Sequence, residues 1–147
     1  MKKLKIGVLG ATGAVGQEML KILEEYDIPV EELRPLASAR SAGSLIRFQG
    51  RDVAIQAATE ESFEGLDFVQ IHVLPEGPGK VGPSVETLRR ISNACRKHGV
   101  NLETYLLKNG DKDFAYETLL DAGVMSIATD FPSKAREVIA KYCESKK

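Results

Sequence analysis

The chain has no tryptophan, only two cysteines (Cys95 and Cys143) and only two histidines (His72 and His98) among 147 residues. So few thiols and imidazoles provide neither a disulfide framework nor a Cys/His cluster with metal-ligand spacing, and imply a reducing compartment. No stretch approaches the ~20 apolar residues that cross a bilayer. The Met-Lys-Lys start enters an apolar strand without a run of signal-peptide length, so a cytoplasmic protein with no membrane partner is expected. A surplus of either charge is also lacking: 20 Lys and Arg oppose 21 Asp and Glu, for a net charge of −1. Without a basic surplus or stripe to neutralise phosphates, nucleic acid is not expected as a principal partner.

What is present is the mixture of a globular protein, 43% hydrophobic and 28% charged, in a length that suits one domain. Residues 5–10 form a short apolar run ending in glycine, as in a strand buried on both faces. Val15, Met19, Ile22, Leu23 and Tyr26 then fall on one helical face, and Pro29 helps to end that helix. A second strand is expected over residues 33–39, an antiparallel hairpin around Gly50-Arg51-Asp52, a turn over residues 62–65 and a strand over residues 67–74. Residues 75–83, with three prolines and three glycines, read as a loop.

Alternating helices and strands follow. Val85, Leu88, Ile91 and Cys95 line a helix stopped at Gly99; residues 100–107 form a strand. Phe114, Thr118, Leu119 and Ala122 face inward from a helix ended by Gly123, and residues 125–129 form the last strand. Pro132 opens a final helix with Ala135, Val138, Ile139 and Tyr142 inward. This pattern predicts an α/β fold, a doubly wound, mainly parallel, Rossmann-like sheet of order 3-2-1-4-5-6 with an edge hairpin after strand 2.

The sharpest motif is Gly10-Ala-Thr-Gly-Ala-Val-Gly16, between the first strand and the first helix. Gly10 permits a tight turn, Gly13 lets backbone approach a phosphate, and Gly16 lets helix and strand pack closely, with a helix N-terminus supplying unpaired N–H groups. The alternative is a turn with no ligand. Residues 36–43 (Leu-Ala-Ser-Ala-Arg-Ser-Ala-Gly) lie where such folds place the adenosine ribose. An acidic residue there suits the 2′-hydroxyl of NAD, whereas Ser38, Arg40 and Ser41 suit a 2′-phosphate. The alternative for Arg40 is an ordinary surface arginine. Together the two motifs favour NADP.

Residues 5–69 resemble the N-terminal segment of aspartate-semialdehyde dehydrogenase, in the stretch from Lys5 through Gly10 to Leu20, in residues 36–43, and in Glu60-Glu-Ser-Phe-Glu-Gly-Leu-Asp67. The resemblance implies NADP binding by Gly10, Thr12, Gly13, Ala14, Val15, Gly16, Ser38, Arg40 and Ser41. The family's catalytic cysteine, in an Asn-Cys-Ser/Thr context, and its second-domain histidine have no counterpart: neither Asn93-Ala-Cys95-Arg nor Tyr142-Cys143-Glu matches. Beyond residue 69, residues 100–107 and 120–132 are similar to the closing part of a glycerophosphodiester phosphodiesterase barrel, whose catalytic His-Arg, carboxylate metal ligands and second histidine are absent. The two resemblances meet around residues 67–74 and imply a hybrid chain, engineered or recombined, folded as one domain over residues 1–147.

Other residues fit structural roles better. His72 reads as a core histidine in mid-strand, His98 as a helix-end residue, Cys95 as a small apolar core residue, and Asp111 and Asp113 as complements to a helix start. Gly77 to Lys80 lacks the Ser or Thr that a triphosphate loop requires, though Lys80 lies in a loop that could reach a bound dinucleotide. The expectation is an NADP(H)-binding domain with no catalytic residues, no metal site and no enzymatic activity of its own. The alternatives are a structural scaffold without a ligand and, as a third reading that the missing catalytic residues weigh against, a partial aspartate-semialdehyde dehydrogenase or a phosphodiesterase.

Overall fold

A computed structural model describes residues 1–147. The elements are β1 (Leu4–Leu9), α1 (Ala14–Glu25), β2 (Val30–Ala37), β3 (Leu45–Phe48), β4 (Arg51–Ala54), β5 (Gln56–Ala57), β6 (Phe68–Gly77), β7 (Lys80–Gly82), α2 (Val85–Lys97), β8 (Asn101–Leu106), α3 (Asp113–Asp121), β9 (Ser126–Ala128) and α4 (Pro132–Ser145). Short 3₁₀ turns occupy Ala39–Ser41 and Glu60–Phe63. Strand pairing runs in the order β5-β2-β1-β6-β8-β9. This is the expected doubly wound, mainly parallel arrangement, with the very short β5 in the third position. The chain divides into two compact units, Met1–His72 with Ala94–Asn101, and Val73–Asn93 with Leu102–Lys147.

In the first unit, Ile6 and Val8 of β1 pack with Met19 and Leu20 of α1, Leu33 of β2 and Phe48 of β3 in one buried cluster. The inward face of α1 is Gly16, Met19 and Leu20, with Leu23 half-buried; Ile22 and Tyr26, expected inside, are 45% and 74% exposed. Two apolar stripes overlap on this helix, and glycine selects between them. A Cβ on Gly16 would lie 2.2 Å from the Gly10 carbonyl oxygen and 2.8 Å from the Ala11 Cα, so the Gly16 side of the helix must face the strand end.

Pro35 sits inside β2, which pairs with β1 on one side. The Leu36 carbonyl faces β1, so the Pro35 nitrogen faces the other way. There β5 pairs only with Leu36 and Ala37, so the missing N–H breaks no ladder bond. The hairpin after β2 forms, but as a separate antiparallel pair, β3 with β4, rather than as the sheet edge. Phe48 pairs with Arg51 across a two-residue loop, Gln49 (φ 47°) and Gly50 (φ 74°), both left-handed as a primed turn requires. The Gln49 N–H also donates to the Glu24 carboxylate at the end of α1.

In the second unit, the Pro- and Gly-rich stretch is not a loop. Strand β6 continues to Gly77, turns at Pro78-Gly79 and returns as β7, with Pro75 opposite Val81 and Gly77 opposite Lys80. A Pro-Gly pair in the middle of a turn favours that reversal. The Gly79 N–H donates to Thr118 Oγ1 of α3 at 3.1 Å. Lys80 therefore begins a paired strand. The helix α3 buries Ala115, Tyr116, Thr118 and Leu119, and α4 buries Ala135 and Val138. The Tyr116 hydroxyl is the polar centre of this unit. It donates to the Gly110 carbonyl at 2.6 Å and lies 2.9 Å from Thr129 Oγ1, which accepts the Phe131 N–H at 3.1 Å.

Two substitutions test this packing by urea unfolding. Gly16→Ala overpacks α1 on the Gly10 carbonyl and is expected to cost about 2–3 kcal/mol; a change within ~0.5 kcal/mol, normal for a surface site, refutes the close approach. Tyr116→Phe strands the buried Gly110 carbonyl and is expected to cost about 1–2 kcal/mol. An unchanged midpoint refutes the role given to the hydroxyl.

Candidate functional site

The Leu36 carbonyl accepts two amides, from Gly10 at 2.8 Å and from Ala11 at 3.2 Å. Gly10 leaves β1 with φ 76°, in the left-handed region, and the Gly13 N–H then closes the turn on the Gly10 carbonyl at 2.9 Å. Gly13 is the N-cap of α1, so the helix has no side-chain cap, and its first bond runs from Gln17 N–H to the Gly13 carbonyl at 3.0 Å. The N–H groups of Thr12, Ala14, Val15 and Gly16 therefore have no protein partner. Unpaired amides at the positive end of a helix dipole favour an anion. The roles expected of Gly10 and Gly16 are thus realised as conformation and close packing, while a Cβ on Gly13 would lie 3.3 Å from the Gly10 oxygen, closer than ordinary van der Waals contact, so that the neighbour would have to give by a few tenths of an ångström.

The second motif lies at the end of the neighbouring parallel strand, two residues beyond Leu36. Ser38 precedes the 3₁₀ turn Ala39–Ser41, closed by the Ser41 N–H on the Ser38 carbonyl at 2.9 Å. The Gly43 N–H donates to the Ile55 carbonyl at 2.9 Å and the Ile55 N–H to the Ser44 carbonyl at 2.8 Å, which braces the turn from behind. Ser38 and Arg40 are exposed, Ser41 is half-buried, and the Arg40 guanidinium has no hydrogen bond or ion pair. All nine sequence-selected residues therefore stand just beyond the same ends of two hydrogen-bonded parallel strands, Ala14, Val15 and Gly16 as the first residues of α1 and the other six on the strand-end turns.

One contact at this site escaped the sequence analysis. Gln17 Nε2 donates to the Ala11 carbonyl at 2.6 Å, reaching back from the first turn of α1 into the glycine turn. The available signal was a long amide side chain one residue after Gly16.

Outside the two motifs, Cys95 is buried, whereas Asp111 and Asp113 are exposed and ion-paired. Burial pushes the Cys95 thiol up to about 12, which leaves it protonated and unsuited to nucleophilic attack. Burial also lowers the pKa of His72. Asp113 lies in the first turn of α3 and pairs with Lys134, and Asp111 pairs with Lys112 at 2.7 Å. No group of three or more His, Cys, Asp or Glu side chains gathers as a metal site, and no helix is long and apolar enough to cross a membrane.

Comparison with known proteins agrees with the first motif. Residues 5–77 match the family model described as "Semialdehyde dehydrogenase, NAD binding domain". The aspartate-semialdehyde dehydrogenase of Campylobacter jejuni is 51% identical over 63 residues, which cover 43% of this chain and 18% of that protein. The Prochlorococcus marinus enzyme of the same name is 50% identical over 68 residues, 46% of this chain and 20% of its own length. The crystal structure of aspartate semialdehyde dehydrogenase II from Vibrio cholerae superposes with a TM-score of 0.56 at 26% identity, covering 86% of this chain and 38% of that one. The matched region thus spans about a fifth of the curated relatives.

These comparisons lend no support to a phosphodiesterase-like second half or to a hybrid origin. They also correct the expectation of a chain outside the enzymes, because the relatives it matches are named as dehydrogenases. That expectation rested on a missing cysteine and histidine, whose absence carries little weight when only a fifth of each relative is matched. The N-terminal half of this chain, through Gly77, is similar to the NAD-binding domain of the semialdehyde dehydrogenases.

Proposed function

We propose that the two strand-end turns bind NADP(H), and that the chain provides the cofactor-binding segment of a semialdehyde dehydrogenase acting on aspartate semialdehyde. One observation carries the reading. The Leu36 carbonyl holds the glycine turn against the end of β2, bringing unpaired amides and the partnerless Arg40 to neighbouring strand ends. The donor set suits a dinucleotide phosphate: backbone N–H groups for one anion and a guanidinium with two hydroxyls for another. Gly13 as N-cap supports it further, since a Ser or Asp there would fill the anion position with its own oxygen.

In this assignment the amides of Thr12, Ala14, Val15 and Gly16 hold the pyrophosphate, and Gly10 sets the path of the turn. Ser38, Arg40 and Ser41 hold the 2′-phosphate, which distinguishes NADP from NAD. The bound cofactor supplies a hydride donor and acceptor; the residues of this chain bind and orient it. No acidic side chain stands on residues 36–43 to prefer a free 2′-hydroxyl.

The test is a titration of the full chain with NADPH and NADH. Arg40→Ala is expected to weaken NADPH by about tenfold to a hundredfold, the effect of ~1.5–3 kcal/mol for a charged hydrogen bond, and to leave NADH nearly unchanged. Equal weakening of both removes the 2′-phosphate assignment. Absence of saturable NADPH binding to the parent chain at millimolar concentration removes the cofactor reading.

A further inference from the structure

We infer that Gln17 is a positioning residue for the dinucleotide, holding the Ala11–Thr12 peptide in the one orientation that suits an anion. This rests on the NADP(H) reading above. The argument begins with the peptide plane. In a trans peptide the carbonyl of one residue and the N–H of the next point in opposite directions. Gln17 Nε2 holds the Ala11 carbonyl at 2.6 Å, so the Thr12 N–H on the same plane points away from the Gln17 amide. That N–H has no protein partner, and Thr12 is exposed.

Without the Gln17 bond, little holds this plane. The Ala11 N–H is fixed by the Leu36 carbonyl at 3.2 Å and the Gly13 N–H by the Gly10 carbonyl at 2.9 Å, but these belong to the preceding and following peptides. The intervening peptide has the Gln17 amide as its hydrogen-bond restraint. If it flips, the Ala11 carbonyl oxygen replaces the Thr12 N–H on the side open to a ligand. A donor becomes an acceptor there, and a phosphate oxygen meets a partial negative charge in place of a hydrogen. A general N-cap role does not explain the contact, since Gln17 has its own backbone bond to the Gly13 carbonyl and its side chain bypasses the cap to reach six residues back.

The test compares two ligands on the full chain. NADPH uses both turns, whereas adenosine 2′-monophosphate lacks the pyrophosphate and uses only the Ser38–Ser41 side. Gln17→Met keeps the length of the side chain and removes its donor; Gln17→Ala removes the side chain at an exposed helix position and is an independent check should Met repack. In both variants the dissociation constant for NADPH is expected to rise about tenfold, the scale of one lost hydrogen bond plus the flipped dipole, with adenosine 2′-monophosphate unchanged. NADPH affinity equal to the parent's overturns the role of Gln17 alone. Loss of both ligands in equal proportion also overturns it, because a merely structural Gln17 weakens the two sites together. A parent chain that binds neither ligand overturns the cofactor reading itself and this inference with it.

Discussion

A single backbone acceptor organises the candidate site. The Leu36 carbonyl, in the last turns of ladder between two parallel strands, takes the N–H of Gly10 and of Ala11 together. Holding both fixes where β1 ends and sends the chain into a left-handed residue that only glycine adopts without strain. From that point the Gly10 carbonyl becomes the surface against which α1 must pack. A methyl group at Gly16 would collide with it, so sequence, turn and helix orientation are one constraint rather than three.

The chemistry follows from what this geometry leaves unpaired. A helix that begins at a glycine cap exposes its first amides, and burying them without a partner would be costly. At this strand end Thr12 and Ala14 are exposed, Val15 is half-buried and Gly16 is buried. The adjacent strand then delivers Arg40 on a short braced turn, close in chain terms to the same Leu36 that fixes the glycine turn. In the NADP(H) reading proposed above, backbone donors on one strand end and a guanidinium on the next divide the work: the first would hold phosphate whatever the nucleotide, and the second would tell one nucleotide from another.

Much of this was legible in the residues themselves, for physical reasons. Apolar runs ending in glycine identified β1, and the spacing of Gly10, Gly13 and Gly16 identified the turn, because each glycine answers a separate steric demand. The inward face of α1 was misread because Ile22 and Tyr26 outweigh a glycine in any hydrophobic count, although the absence of a side chain at Gly16 decides the packing. The residues 75–83 were misread for the opposite reason. Proline and glycine are breakers in general, yet Pro78-Gly79 is the turn of a hairpin whose flanking residues pair, and Pro75 is accommodated opposite Val81. Gln17 was not legible, since its value lies in a contact made only after the turn has formed. The catalytic question depended least on these residues, because the matched relatives extend far beyond the region in common.

The most direct measurement of the central claim is an amide-resolved NMR titration of the full chain with NADPH. If the two strand-end turns form one dinucleotide site, the largest saturable shifts fall on Thr12, Ala14, Val15 and Gly16 and on Ser38, Arg40 and Ser41. Saturable shifts confined to other parts of the chain, or none at millimolar NADPH, would contradict it.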